Sequence, residues 1–407
     1  MLFGLFDDPA VSRFFPLTYS RSFAHLRTGP LTPADHLQVL TGHRFWGVKP
    51  TSHLAAFYQH TGQLPVLFGE PVLFINSRVR HLEQVLAHCS ELSGSGMALT
   101  NDADLIAVVV GPDQLMDFFL AEDPTRFVQK SETISAGLFN HTWEVVLDSG
   151  LAIEDQAGLL ARSGRFKASG SVYRGATMGD HELWISPSAT IHPFVAFDLR
   201  KGPVFLDDQV EVMSHSVLSG PLYIGAGSKV KAGSTFYPNT IIGPVCKVGG
   251  ELEDVIIQGY SNKQHAGFLG HSFIGSWCNL GADTNNSDLK NTYAPVDIWE
   301  NGKMVSTGSL FMGLIMGDHS KTGINTMLNT GSVIGFSSMV FGAGFPDRFI
   351  PSFHWSADGK LIPFRLNKAI ETARAVMGRR SVPFTDADQT LFEDIRNLAV
   401  LEHKSSS

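Results

Sequence analysis

The chain is poor in cysteine and in charge, and it has no long apolar run. Only three cysteines occur in 407 residues, Cys89, Cys246 and Cys278. They form no C-x-x-C and no paired framework, which excludes a disulfide scaffold and fits a reducing compartment. Charged residues make up 17%, and 31 Lys+Arg stand against 39 Asp+Glu, a net charge of -8. That balance offers no broad attraction to nucleic acid or to acidic membrane surfaces. No stretch approaches the roughly 18 apolar residues of a membrane-spanning helix. The start, MLFGLFDDPAVSRFF, lacks the basic opening of a signal peptide. A cytoplasmic protein is expected, with no nucleic-acid or membrane partner. At 43% hydrophobic residues there is ample material for a large core.

Glycine is what the chain has in excess, and 22 of its 40 glycines fall in residues 201–350. There the sequence repeats in sixes. Ile224-Gly-Ala-Gly-Ser-Lys is followed by hexads opening at Val230, Phe236, Ile242 and Val248, then at Ile274 and Leu280. After an excursion the pattern resumes at Met316 and runs through Thr322, Leu328, Ile334 and Val340; Ile185 and Ile191 keep the same spacing earlier. A period of six is neither helical nor that of a simple strand. It fits a parallel β-helix of about eighteen residues per coil. Each hexad contributes an inward aliphatic residue, a glycine expected at the tight corner, and a small residue four positions on.

Residues 1–183 lack this period. Apolar runs at Leu64-Phe68, Val72-Ile75 and Leu105-Val110 alternate with helical stretches at Arg80-His88 and Gln114-Ala121. That alternation predicts an α/β domain with a mixed or parallel sheet. Residues 171–186 read as the join to a β-helix over 184–350. In 351–407, Leu366-Met377 and Asp386-Leu401 predict two helices, the second capped by Thr385 with Asp388. The closing Lys-Ser-Ser-Ser is expected to fray.

These motifs carry a resemblance. The strings are Gly243-Pro-Val-Cys-Lys-Val-Gly-Gly-Glu, Gln258-Gly-Tyr-Ser-Asn-Lys-Gln-His-Ala-Gly-Phe-Leu-Gly-His, Asn279-Leu-Gly-Ala-Asp-Thr-Asn, Met316-Gly-Asp-His-Ser-Lys-Thr-Gly-Ile-Asn-Thr and Gly335-Phe-Ser-Ser. With Leu5-Phe-Asp-Asp-Pro9 and Phe15-Pro-Leu-Thr18 near the start, the chain resembles the bifunctional enzymes that make UDP-N-acetylglucosamine, in a divergent Bacteroidetes-type branch. The resemblance implies a Rossmann-like nucleotidyltransferase domain, a left-handed hexapeptide β-helix and a helical tail. It implies two activities. One is acetyl transfer from acetyl-CoA to an amino-sugar-1-phosphate. The other is condensation of that product with UTP, assisted by Mg²⁺. It also implies a homotrimer with the acyl donor held between copies.

Within that resemblance, His265 matches the proposed base. An imidazole with an ordinary pKa of about 6.5 can take a proton from an amine at neutral pH. The alternative for His265 is a corner residue bonded to a backbone carbonyl. Asn279 matches a sugar-contacting residue, Asp288 falls where the family often has Asn, and Lys290 lies near a phosphate-binding Lys. Lys263, with Lys247 and Lys321, is a further candidate for the phosphate. Ala282 matches a backbone site near the thioester, and Ile324 and Gly342 fall near the acyl-donor groove. Phe268, His271 and Glu253 depart from the family pattern, so the sugar or acceptor can differ. The excursion bearing Tyr293 and Trp299 is expected to cover the groove or clamp a neighbouring subunit.

For nucleotidyl transfer the family's glycine-rich loop is replaced by Leu5-Phe-Asp-Asp-Pro9. Arg13, Thr18 and Arg21 remain as candidate nucleotide contacts, Arg21 and Arg13 alternatively being ordinary ion-pair arginines. Asp102 and Asp104 are the candidate metal ligands, alternatively turn residues. Two other readings stay open. One is an acyltransferase or ligand-binding trimer with a silent N-terminal domain. The other is a zinc lyase of the β-helix carbonic anhydrase kind, which would need His265, His271 and His319 or their like to converge.

Overall fold

The computed structural model describes residues 1–62, 69–92, 94–168 and 175–404. The expected strand at 64–68, the start of the expected join (171–174) and the three terminal serines lie outside them.

The N-terminal part is a six-stranded mixed sheet. Its strands are β1 (Leu2–Phe6), β2 (Phe45–Lys49), β3 (Val72–Asn76), β4 (Met97–Thr100), β5 (Leu105–Val110) and β6 (Lys130–Thr133), in the spatial order β2-β1-β3-β5-β4-β6. β1 runs parallel to β2 and β3, while β5 is antiparallel to both its neighbours. β3 and β5 are buried along their whole length, as their unbroken apolar runs require of strands covered on both faces. The helices are α1 (Pro33–Thr41), α2 (Ser52–His60), α3 (Leu82–Cys89), α4 (Leu115–Leu120), α5 (Thr142–Leu147) and α6 (Ser149–Arg162). Local signals set their ends: α1 starts on a Thr32/Asp35 capping box with Pro33 at the first position.

The repeat region is a parallel β-helix with three strand faces. On the first face Ile185, Leu206, Ile224, Ile242, Ile257, Ile274, Met316, Ile334 and Ile350 are successive register partners or lie in one column with them. On the second face the inward column is Ile191, Val212, Val230, Val248, Lys263, Leu280, Thr322 and Val340. On the third it runs Phe197, Leu218, Phe236, Leu252, Leu269, Asn286, Leu328. The strict six-residue count slips in several coils, and Ile185 pairs with Leu206, Ile242 with Ile257 and Ile257 with Ile274 across spans other than eighteen. After Val248 the inward residues are Leu252 and Ile257, because this coil is shortened and Ile242 pairs across fifteen positions with Ile257.

The repeat's small residues have a definite task. Ser228 Oγ donates to the Gly243 carbonyl (2.8 Å) and accepts from Cys246 N (2.9 Å). Ser261 does the same with Gly275 and Cys278, and Ser320 with Gly335 and Ser338. Each such serine joins one coil to the next with two bonds worth about 1 kcal/mol apiece. Contrary to the expectation from the sequence, the glycines after the aliphatic residue do not serve the corner's backbone angle. A Cβ at Gly243 would sit 2.1 Å from the Gln258 carbonyl oxygen, so they permit close stacking of coils. The left-handed backbone conformation falls two residues later, on Val245 (φ 57°) and Tyr260 (φ 56°) along the same edge.

The N-terminal domain lies along the first face. Outward residues Phe205, Tyr223, Ile241, Ile256, Phe273 and Ile315 share a core with Phe14, Trp143, Val146 and Ile153. Strands continue past 350, at His354–Ala357 and Lys360–Pro363, before α7 (Leu366–Gly378) and α8 (Asp386–Lys404). Thr385 and Asp388 form the expected cap of α8. Phe392 and Ile370 from these helices pack with Phe336 and Phe353 of the β-helix and with the N-terminal core.

Candidate active site

The three edges of the prism separate the residues singled out above. His265, Ala282, Ile324 and Gly342 stack on the edge that follows the second face, one per coil. Asp283 N donates to Ala266 O (3.1 Å) and Asn325 N to Ala282 O (2.8 Å), which fixes the column. Coils stack at the spacing of paired strands, about 4.8 Å. His265 is exposed, and its ring makes no hydrogen bond among the described residues. Ile324 is 71% exposed, and Phe341 and Phe345 extend the same apolar ridge. The Ala282 N–H is likewise without a partner among the described residues.

Asn279 lies on the adjoining second face in an outward ladder, Lys247, Asn262, Asn279, Lys321. Lys263 does not point outward. It occupies an interior position, 2% exposed, with Nζ donating to the carbonyls of Gly249 (3.3 Å) and His265 (3.1 Å). Burial lowers its pKa to about 8. Its place in the core follows from strand register, since Lys263 pairs with Val248 in the inward column, although its residue type suggested a surface ligand.

Asp288 and Lys290 belong to the third edge. Asp288 Oδ2 is 2.8 Å from Nδ1 of His271. Burial opposes the charged form of His271, but the Asp288 hydrogen bond and the charges of Asp254 and Glu253 outweigh it and raise the pKa. Lys290 Nζ donates to Pro295 O (2.6 Å) and pairs with Asp297 (3.0 Å). The excursion after it forms an antiparallel hairpin, Asp297–Glu300 with Lys303–Ser306. It does not cover the edge that carries His265 and Ala282. Trp299 stacks on Phe349 (4.4 Å), and Glu300 reaches His141 of the N-terminal domain (2.8 Å).

His265, His271 and His319 stand on three different edges, so they do not converge within one chain. His319 is buried among Trp277, Phe336 and Phe392, which pushes its pKa down to about 3. Among the described residues no group of three metal-ligating side chains forms.

A second cleft, about 450 Å³, opens at the C-terminal end of β1 and is lined by Asp8, Ser12, Arg13, Asp104, Asp123 and Asn301 of the excursion hairpin, among others. Arg13 is exposed there. Thr18 is buried, its hydroxyl bonded to Val11 O (3.1 Å). Arg21 points to the β-helix, donating to Asp318 (3.0 Å) and Ser276 (3.1 Å). Asp102 is exposed, and Asp104 accepts from Arg78 (3.2 Å). Arg78, fully buried, also pairs with Asp8 (2.6 Å) and was not anticipated. Both Asp8 oxygens are taken, by Arg78, Asn76 and Ala10 N. Asp104 keeps one unengaged oxygen and Asp123 caps Thr125. These carboxylates do not fit a two-ligand Mg²⁺ site. Beneath the cleft, burial raises Asp7 to about 6, against the Ser77 bond (2.6 Å), and leaves its Oδ2 without a partner.

Residues 3–164 match the family model of the sugar nucleotidyl transferases. A bifunctional sugar-1-phosphate nucleotidylyltransferase/acetyltransferase of Sulfurisphaera tokodaii is 32% identical over 144 residues, 35% of this chain and 36% of that protein. The bifunctional protein GlmU of Methanococcus vannielii is 32% identical over 132 residues, 31% of this chain and 32% of its own. The matched stretch thus spans about a third of these relatives' length. Among solved structures, UDP-N-acetylglucosamine acyltransferase of Francisella novicida has a TM-score of 0.31 at 13% identity, covering 55% of this chain and 90% of that one. The likeness to the sugar nucleotidyl transferases thus spans residues 3–164, the N-terminal domain.

Proposed function

We propose that this protein is a sugar-nucleotide biosynthesis transferase whose acetyl-transfer half is the better equipped. In this reading residues 1–183 are the nucleotidyltransferase-like domain, 184–350 the left-handed β-helix acyltransferase and 351–407 the tail. The reaction moves the acetyl group of acetyl-CoA to the amine of a sugar phosphate such as glucosamine-1-phosphate. The observation that carries it is that one exposed edge holds His265 one coil from the Ala282 backbone N–H, which has no partner among the described residues. His265 removes a proton from the amine as nitrogen attacks the thioester carbon. The Ala282 N–H receives the developing oxyanion. The C–S bond breaks, and the proton passes from the imidazole to the thiolate. The apolar ridge of Ile324 and Gly342 lines the acyl donor, and Asn279 holds the sugar.

Asp288 and Lys290 stand on another edge, so they would reach this amine only from a neighbouring copy. That geometry, with the exposed ridge, supports a homotrimer, and the three free cysteines fit the reducing cytoplasm. The nucleotidyl half would use Arg13 in the cleft beside β1 for the phosphates of UTP. Arg78 engages the carboxylates there, so the cleft does not offer Mg²⁺ a pair of ligands. The same saturation favours a second reading, in which the N-terminal domain binds a nucleotide without turning it over. Incubation with glucosamine-1-phosphate and acetyl-CoA, followed by mass spectrometry, tests the first activity. Pyrophosphate exchange with UTP separates the two readings of the second. Absence of any acetylated amino-sugar phosphate overturns the main proposal.

A further inference from the structure

A cavity of about 360 Å³ lies between the second face of the β-helix and the C-terminal end of α7. Four cations line it: Lys247 and Lys321 from the outward ladder, and Arg379 and Arg380 from the end of α7. No carboxylate is among its lining residues, and among the described residues none of the four cations is ion-paired. Arg380 Nη2 donates to Asn262 Oδ1 (2.7 Å), whose amide is 3.4 Å from Asn279 Oδ1. Lys321 Nζ donates to His319 O (2.8 Å). One wall is aromatic, with Tyr260 and Trp277 stacked at 4.4 Å on successive coils. The charge of Arg380, then burial, then Lys229, Lys231 and Arg379 lower the pKa of Lys247. Four like charges converging on one cavity repel one another and destabilise the empty fold. A multiply charged anion removes that cost and gains charge-assisted bonds from planar guanidinium groups.

We infer that this cavity binds the phosphate-bearing end of a nucleotide, with its phosphates among Lys247, Lys321, Arg379 and Arg380 and its nucleoside against Tyr260 and Trp277. The size falls within the ~300–1,000 Å³ of small-molecule sites, and the pairing of a cationic floor with an aromatic wall suits a phosphate joined to a ring system. The cavity shares Asn279 with the proposed sugar site, yet binding here does not require that acetyl transfer occurs. Two sources carry this chemistry, the nucleotide end of an acyl carrier and a nucleoside triphosphate. In either case α7 supplies half of the clamp.

Calorimetric titration of the full chain with desulfo-coenzyme A, UTP and inorganic pyrophosphate tests the inference without reading acetylation. At least one nucleotide is expected to bind more tightly than pyrophosphate, and the tighter of the two identifies the source. The double variant Arg379→Ala/Arg380→Ala is expected to bind it at least ~10-fold more weakly, as loss of charge-assisted bonds implies. Removing two mutually repelling charges at a helix end is expected to leave the melting temperature unchanged or raised, so weaker binding does not reflect a loss of fold. Lys247→Ala supplies a second variant and is expected to weaken binding in the same direction. No binding of either nucleotide, pyrophosphate binding as tightly as both, or unaltered affinity in both variants would overturn the site.

Discussion

Arg21 of the N-terminal domain clasps Asp318 of the β-helix, with Nη1 3.0 Å from Oδ1, while that same oxygen accepts the backbone N–H of Ser276 at 2.7 Å. Ser20 donates to the other oxygen at 2.5 Å. The Asp318 side chain is 3% exposed. Removing Arg21 strands a buried carboxylate, so Arg21→Ala is expected to destabilise the protein by about 3–5 kcal/mol. Chemical denaturation followed by tryptophan fluorescence checks this. A loss below about 1 kcal/mol would show that the clasp is not structural.

The His265 ring stands exposed on its edge and makes no hydrogen bond among the described residues. His265→Ala should therefore leave the melting temperature unchanged and lower the acetylation rate by ~10²–10⁴, the usual span of a general base. The assay is initial rates on glucosamine-1-phosphate with acetyl-CoA. A variant acetylating at the wild-type rate removes the base assignment.

Lys263 makes an interior position of the prism pH-sensitive. Its folded pKa of about 8 lies below the ordinary lysine value of 10.5, so the unfolded chain binds the proton more tightly. Stability is depressed below pH 8 and is regained as pH rises from about 8 towards 10.5. Each pKa unit corresponds to about 1.4 kcal/mol. Between pH 7.5 and 10, wild type should gain on Lys263→Met by about 1–3 kcal/mol, read from paired urea melts. Parallel curves for the two proteins would refute it.

The saturated carboxylates beside β1 predict how the N-terminal cleft responds to metal. Mg²⁺ alone should leave the melting temperature of the chain unchanged, since Asp8 is fully engaged and Asp104 offers one oxygen. A dose-dependent rise in thermal melts with Mg²⁺ and no nucleotide would contradict the described geometry.

Periodicity made the β-helix legible because stacking forces inward side chains into columns, and Ile224, Val230 and Phe236 announce those columns directly. The glycines were visible too, but their reason was not: Gly243 accommodates a carbonyl from the coil below, a contact no single coil contains. Motif matching brought His265, Ala282, Ile324 and Gly342 together, as neighbours down one edge. It could not separate them from Asp288 and Lys290, since a six-residue step moves to another edge. Lys263 was read by residue type, and the shortened coil before it puts it out of phase with the hexads at Val248 and Leu280, so its inward place emerges only from strand pairing. Arg78 left no signal, because its partners Asp8 and Asp104 are distant in sequence and meet only when β1, β3 and β5 form one sheet end.

The N-terminal domain lies lengthwise on the prism, touching outward residues from Phe205 to Val333. Solenoids ordinarily lengthen or shorten by whole repeats, because each repeat contacts only its neighbours. Here a rigid bar is fastened along the flank at many rungs. Adding or deleting one rung would shift every later fastening by a full step, so this ladder's length is fixed by the body that leans on it.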